Sequence, residues 1–458
     1  MINPVSPKTP GARALALDIL AAARRRGGSV EDLLAATLKA HPGLDRPERA
    51  FLLELVQGVK RWELRLDYLI SQTAHLPLRK LHPLVLNILR LAAYQVLMLD
   101  RVPARAALHE AGKLAKERRL PPAHVGFINA VLRRLAAGDL PPLPALAADP
   151  VQSLSIAASH PVWLVRRWLE RYGLEETRDL LTANNEVPPL TIRVNTLKTD
   201  AETLRARLAR EGVEAVPCRF SPQGLRLVSF DTSPAEAPSF RQGLWLFQDE
   251  AAQLVTLLLA EAPGQSLLEM GAGRGGKTTH LAEALADEGL ILAMDRHRRR
   301  LTELKLNLKR WGVAAAVPLL ADAASPLPLK RECLDAVLLD APCSSLGILR
   351  RHPEIKTRLK ETDLPTFPPR QQAMLERAAG VLRPGGRLLY ITCTTEPQEN
   401  EEVMEAFLAA HREFHLATDP DLLPPPARSL IKPPGFFRTS PSTHNLDALF
   451  AAVLAKKG

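Results

Sequence analysis

Cysteine is scarce in this chain of 458 residues, with four in all, and aromatic residues make up only 5%. Cys218, Cys333, Cys343 and Cys393 are too sparse and too irregularly spaced for a disulfide framework or a repeated zinc-ligand pattern. They suit a reducing compartment, so a cytoplasmic location is expected. His109, His280 and His352 show no metal-ligand spacing, and no metal is expected. So few aromatic rings argue against an extended stacking platform for single-stranded nucleic acid. No uninterrupted apolar run approaches the ~20 residues that span a bilayer. The opening Met1-Ile2-Asn3-Pro4-Val5-Ser6-Pro7-Lys8 holds no apolar signal segment. A soluble, unsecreted protein is the expectation.

What is present is a globular composition, 46% hydrophobic, at a length that suggests two or three domains. The formal net charge is +10, with arginine outnumbering lysine. Such a balance favours phosphate-rich partners, because neutralising phosphates releases counterions and steers encounter. A solvated basic surface is the bland alternative.

Between residues 11 and 138 the apolar residues recur at helical spacing, as in Leu15, Ile19 and Leu20, and in Phe51, Leu52, Leu55, Val56 and Val59. This predicts an all-helical bundle. Pro141-Pro142-Leu143-Pro144 then marks a junction, because consecutive prolines cannot continue a helix. A small α+β connector comes next, with short strands at 190–195 and 225–228. Beyond Leu244 apolar strands alternate with helices, the signature of a mostly parallel sheet. Its strands are expected at 266–270, 290–295, 315–321, 334–339 and 387–392. A pair around Phe436-Phe437 and 449–454 should form an antiparallel edge. The expected fold is multidomain α and α/β, divided at 1–142, 143–242 and 243–458.

Chemistry concentrates where those strands end. Cys343 follows Leu338-Leu339-Asp340-Ala341-Pro342, and Cys393 follows Leu388-Leu389-Tyr390-Ile391-Thr392. Strand ends of an open α/β sheet are where ligands bind, so two strands of one sheet would bring both thiols to one cleft. One thiolate is a strong nucleophile and a second thiol can carry a proton, although free cysteine also packs as a small hydrophobe. Gly271-Ala272-Gly273-Arg274-Gly275-Gly276-Lys277-Thr278 follows the first strand and precedes a helix. Taken literally it fits both the dinucleotide fingerprint and the P-loop pattern. Asp295, ending the second strand at about the 20-residue spacing of a ribose-binding acid, favours an adenosine-bearing ligand over a nucleotide triphosphate. Asp322, placed at the end of the third strand, could receive the adenine amino group. S-adenosylmethionine and NAD both remain open on these residues.

Asp340-Ala341-Pro342-Cys343-Ser344-Ser345-Leu346-Gly347, with Arg350-Arg351-His352-Pro353-Glu354 after it, resembles the Pro-Cys motif of the Sun/RsmB family of RNA cytosine-C5 methyltransferases. The run from Pro384 through Thr392-Cys393-Thr394, followed by Glu399-Asn400-Glu401, resembles the family's Thr-Cys motif. Val125-Gly126-Phe127-Ile128-Asn129 is similar to its NusB-like RNA-binding domain, and Gln248-Asp249-Glu250 to the segment before its cofactor loop. The resemblance spans nearly the whole chain and implies a Rossmann-like catalytic domain using S-adenosylmethionine on 16S rRNA or a small-subunit assembly intermediate. A monomer without membrane attachment is expected.

By that resemblance Gly271, Ala272, Gly273, Arg274, Gly275, Gly276, Lys277, Asp295, Asp322 and Asp340 lie on the cofactor side. Cys393 attacks cytosine C6, Cys343 serves release, Asp340 holds the base edge, and Lys277 tunes a thiol or orients Asp340. One departure stands out: the family usually carries Cys-Ala-Ala-Pro where this chain has Gly271-Ala272-Gly273-Arg274, which should loosen the loop. Arg193-Val194-Asn195 is a candidate RNA holder, and Arg296-His297-Arg298-Arg299-Arg300 a solvated helix start. The rival readings are a DNA cytosine methyltransferase attacking through Cys343, a methyltransferase of another RNA, a non-catalytic RNA-binding or antitermination-like protein, and an NTPase.

Overall fold

In the computed structural model, residues 10–26, 29–231, 233–259 and 264–458 are described. Residues 1–8, where no signal segment is expected, lie outside them. By the density of internal packing the chain divides into two units, Met1–Glu186 with Leu349–Glu361, and Val187–Ile348 with Thr362–Gly458. The junctions expected at 142/143 and 242/243 fall inside the first and the second unit respectively.

The first unit is helical: α1 (Ala12–Arg26), α2 (Val30–Ala40), α3 (Arg46–Ala74), α4 (Pro83–Met98), α5 (Ala104–Glu117), α6 (Pro122–Ala136), α7 (Pro150–Ala157) and α8 (Val162–Ala183). Proline opens several of these helices, where its missing N–H costs nothing. Asp45 and Asp149 cap α3 and α7 by accepting from backbone N–H groups of the first turn. The expected stripe of α3 is buried through Leu52, Leu55, Val56 and Val59 and continues through Leu66, Leu69 and Ile70. Each such side chain contributes roughly 1.5–3 kcal/mol of burial. Helices α3 and α4 approach closely because a side chain at Gly58 would collide with the Tyr94 ring. The proline-rich link does not detach α7 and α8 from the bundle. Tyr68 donates to the Pro142 carbonyl at 2.6 Å, and Arg65 to that of Ala157 at 3.1 Å.

The second unit contains two sheets. The smaller, antiparallel throughout, is built from β1 (Leu190–Val194), β2 (Val213–Pro217), β3 (Gly224–Phe230) and β4 (Trp245–Phe247) in the order β2-β3-β1-β4. Strand β4 lies beyond the expected end of the connector yet pairs with β1. Three residues are too short to show a period, so pairing alone reveals it.

The larger sheet comprises β5 (Ser266–Met270), β6 (Leu290–Asp295), β7 (Ala316–Leu320), β8 (Leu334–Asp340), β9 (Leu382–Thr392), β10 (Phe414–Leu416), β11 (Ile431–Lys432), β12 (Phe436–Arg438) and β13 (Phe450–Lys456). The order is β11-β12-β13-β9-β8-β5-β6-β7, with β10 beside β13. Strands β5 to β9 are parallel neighbours and β13 runs antiparallel to β9, so the anticipated antiparallel edge is present. Strand β9 begins five residues before the expected start because Leu382 pairs with Leu334, with a register shift between Leu334 and Ala336.

Alternate residues feed cores on opposite faces. Leu267, Ala336, Leu338, Leu389 and Ile391 belong to one, and Leu268, Val337, Leu339, Leu388 and Tyr390 to the other. Burial on both sides is why these strands read as continuous apolar runs. The chain winds outward from β5 to β7, then returns to β8 and β9 on the opposite side. The reversal places a crevice beyond the ends of β5 and β8. No helix among the described residues is long and apolar enough to cross a membrane.

Candidate active site

Strands β8 and β9 are adjacent and in register, with Asp340 opposite Ile391. The loops after them therefore carry Cys343 and Cys393 to the same edge, and the two Sγ atoms lie 3.3 Å apart. The Cys393 backbone N–H also points at the Cys343 sulfur, 3.3 Å away. Glu399 ties the two loops together, and Asn400 braces the loop after β9. Glu399 accepts from the Ser344 N–H at 2.8 Å and from Gln371 at 3.1 Å, while Asn400 donates to the Thr394 carbonyl at 3.0 Å. Ser344 and Thr394 hydroxyls meet at 2.6 Å. Gly347 donates to the Cys393 carbonyl at 2.9 Å, where a side chain would strike the Ala448 carbonyl oxygen.

This arrangement makes the thiols unequal. The Cys393 pKa is lowered, first by the hydrogen bond from Cys343, against the opposing effects of burial and Asp340; Ser345 and Lys277 assist the lowering. Cys343 is pushed well up, first by that same hydrogen bond and then by burial, the Cys393 charge and Glu399. Of the pair, Cys393 gives up its proton more readily and Cys343 holds its proton more tightly.

Lys277 binds Asp340 at 2.7 Å. Burial disfavours the lysine charge, but Asp340, Glu269 and Cys393 outweigh it and its pKa is raised. The lysine thus faces a carboxylate and the thiol pair, which leaves the P-loop match a coincidence of a short pattern.

The glycine loop packs against the same crevice. Gly271 has φ 91° and Gly275 φ 90°, both in the left-handed region. A Cβ on Gly271 would lie 2.7 Å from the Asp340 carbonyl oxygen, and one on Gly275 would lie 2.4 Å from Leu304 Cδ1. Gly271 and Ala272 both donate to the Met294 carbonyl at 2.9 Å, and Gly273 donates to Asp295 at 3.1 Å. A glycine loop held by close packing at the end of β5, with the buried Asp295 carboxylate beside it, fits an adenosine-bearing ligand. Asp295 is shared with the His297 N–H at 2.7 Å and faces Arg300 at 3.7 Å. Arg274 is tied by Glu303 at 2.7 Å, and its carbonyl accepts from Asn307 at 2.8 Å. Hydrogen bonds from the helix Arg298–Trp311 thus tie the loop where the family usually has proline.

Asp322 lies in the turn after β7. It is exposed, two residues beyond β7, and accepts from the Ala324 N–H at 3.0 Å within its own turn. The RNA-holder reading of Arg193 and Asn195 is corrected, since both are fully buried. Arg193 donates to the Gly276 carbonyl at 2.6 Å, to Thr279 at 2.7 Å and to Glu283 at 2.9 Å. Asn195 donates to the Gly243 and Trp311 carbonyls at 2.8 Å. These side chains join the small sheet to the cofactor-side helices.

Glu269 escapes a motif-based reading. It is buried on β5, accepts from Thr278, and is pushed up to about 7 by burial, with Thr278 and Lys277 opposing and Asp340 and Asp295 adding to the rise. A lone carboxylate within Leu267-Leu268-Glu269-Met270 was the available signal.

Comparison with known proteins fits this geometry. The family model described as 16S rRNA methyltransferase RsmB/F matches residues 256–455, the NusB family model 10–137, and a ferredoxin-like domain of RsmF/B-like methyltransferases 160–231. A probable ribosomal RNA small subunit methyltransferase B of Synechocystis sp. is 35% identical over 97% of this chain and 99% of its own length. The Bacillus subtilis relative of the same description is 32% identical over 98% of this chain and 100% of its own. The crystal structure of PH0851 superposes with a TM-score of 0.81 at 27% identity, covering 98% of this chain and 99% of the other. The fold is therefore a NusB-type helical domain, a ferredoxin-like piece and a Rossmann-like methyltransferase domain. The chain belongs to the RsmB/F family of S-adenosylmethionine-dependent methyltransferases.

Proposed function

We propose that this protein methylates cytosine C5 in 16S ribosomal RNA through a covalent bond between Cys393 and C6 of the base. The observation that carries the reading is the thiol pair, 3.3 Å apart with pKa values driven in opposite directions. The relatives' description as small-subunit RNA methyltransferases supports the substrate. Residues Gly271 to Lys277, with Asp295 and Asp340, would hold S-adenosylmethionine, which supplies an electrophilic methyl group; Asp322 would join them at the adenine.

Cytosine C5 is a weak nucleophile. Addition of the Cys393 thiolate to C6 pushes the C5=C6 electron pair onto C5 and makes it enamine-like. Asp340, steadied by Lys277, holds the base edge and stabilises charge developing there. Cys343 is kept protonated by the charge beside it. Once the Cys393 sulfur is a neutral thioether that charge is gone, and Cys343 can release its proton to solvent and become a thiolate. Its thiolate then takes the C5 proton, the C5=C6 bond re-forms and Cys393 leaves as thiolate. The same coupling orders attack before release.

The three expected parts belong to this proposal: residues 1–142 bind RNA, 143–242 connect, and 243–458 catalyse. The test replaces each cysteine separately. Cys393→Ala should lose both methyl transfer and the covalent protein–RNA adduct, whereas Cys343→Ala should accumulate that adduct. An adduct formed by Cys393→Ala would instead support a Cys343 nucleophile, as in DNA cytosine methyltransferases. Absence of S-adenosylmethionine binding by calorimetry, even with RNA, would favour a non-catalytic RNA-binding protein. An unchanged cytosine methylation map of ribosomal RNA in cells lacking the protein would point to another RNA.

A further inference from the structure

The helical unit contains a cavity of about 440 Å³ that the thiol chemistry does not use. It lies among α1, α2, α3 and α4, and the segment Leu349–Glu361 of the same unit contributes Glu354, Thr357 and Arg358 to its wall. This volume falls in the range of small-molecule sites.

Three features of the lining point to one kind of ligand. Leu20, Val30, Val59 and Leu86 supply apolar wall suited to a flat ring. The floor is an ion network that neutralises itself. Arg90 grips Asp67 through two nitrogens and meets Glu63 at 2.9 Å, and Lys60 also binds Glu63. Beside it sits Asn87, only 3% exposed, which lines the cavity with its side-chain amide. At the mouth stand Arg24, Arg79 and Arg358, all exposed. Glu354, the remaining carboxylate of the wall, faces His352 at 3.7 Å. The surplus positive charge is therefore at the rim, while donor and acceptor capacity lies inside.

We propose that this cavity binds one unpaired nucleotide of the RNA, with the base inward on Asn87 and the sugar-phosphate backbone on Arg24, Arg79 and Arg358. An amide offers both a donor and an acceptor to a base edge, and guanidinium groups suit phosphate oxygens. The proposal rests on RNA being the substrate. It adds a second point of capture, in the helical unit.

The test uses the full chain and a fluorescent, unstructured RNA oligonucleotide titrated at several salt concentrations. The triple variant R24A/R79A/R358A should bind more weakly and show a salt slope shallower by about two, since each lost single-strand phosphate contact removes ~0.7. Asn87→Leu should weaken binding about tenfold at every salt concentration without changing the slope, the cost of a lost base-edge contact. RNA carrying 4-thiouridine should crosslink to peptides holding residues 78–90 or 354–358. If the wild type binds RNA while all variants match it in affinity and slope, the proposal is overturned and the cavity serves a protein partner or none. Wild-type protein that binds no RNA even at low salt would sink the RNA substrate itself, a separate failure. Should Asn87→Leu misfold, the arginine variant still decides, because its positions are exposed.

Discussion

Cys343 and Cys393 are chemically identical side chains that become different only through what surrounds them. The largest influence on each is the hydrogen bond between them. Cys343→Ala should therefore raise the pKa of Cys393, and the pH midpoint of its alkylation by iodoacetamide should move upward. An unmoved midpoint would show that Lys277 and Ser345 suffice to hold the thiolate. Asp340→Asn should slow methyl transfer by roughly 10²–10³-fold, the usual effect of removing one group that stabilises developing charge, with folding left intact in thermal melts. From the sequence the two cysteines and their Pro342 and Thr392 neighbours were legible as a pair of motifs. Glu399 and Asn400 were visible as part of a motif, but the tie from Glu399 to Ser344 and the brace from Asn400 to Thr394 were not, because hydrogen-bond partners are set in three dimensions.

Elements position these residues through close approach and buried polar contacts. Gly271 sits at the end of β5 where the Asp340 carbonyl leaves no room for a side chain, and its φ is positive. Gly271→Ala should destabilise the second unit by about 1–3 kcal/mol, the cost of a non-glycine residue held in a rare backbone region. Calorimetry should show weaker S-adenosylmethionine binding in the same variant. Arg193 is the second case. Its guanidinium, wholly buried on β1, pairs with Glu283 on the helix Gly276–Ala284. Breaking a buried pair leaves an uncompensated charge, so Glu283→Ala should cost about 3–5 kcal/mol in urea unfolding. The salt slope of RNA binding should not change, in contrast to what a phosphate-contacting arginine would show. The motif around Arg193 marked a special position, yet chemistry alone could not tell a ligand holder from an internal strut. Burial decides between them.

At the scale of the molecule, stability against acid depends on groups that burial keeps uncharged. His160 in the first unit and His280 in the second are held well below the ordinary histidine value, chiefly by burial. Below about pH 6.5 the unfolded chain takes up protons that the folded chain refuses, so each histidine removes up to ~1.4 kcal/mol per pH unit. Glu269, raised to about 7, acts in the opposite sense: between about pH 7 and 4.3 the folded chain binds its proton first and gains stability. Melting temperatures followed from pH 7 to 5 should fall less steeply in His280→Phe and more steeply in Glu269→Gln. Much of the architecture was already written in local chemistry. Apolar runs long enough for a sheet buried on both faces, helical stripes in α1 and α3, and prolines at helix starts are properties of neighbouring residues, so the order of residues was enough to set the elements and their class. It was enough, too, to mark which side chains carry the chemistry. The two- and three-residue strands β4, β10 and β11 escaped it, because a strand that short exists only through its partner. Folding in three dimensions settled the rest: β8 and β9 lie side by side, the thiols meet, and Arg193 is internal. Each of these depends on contacts between residues tens of positions apart, whose free energy is felt only after the chain has closed the loops between them.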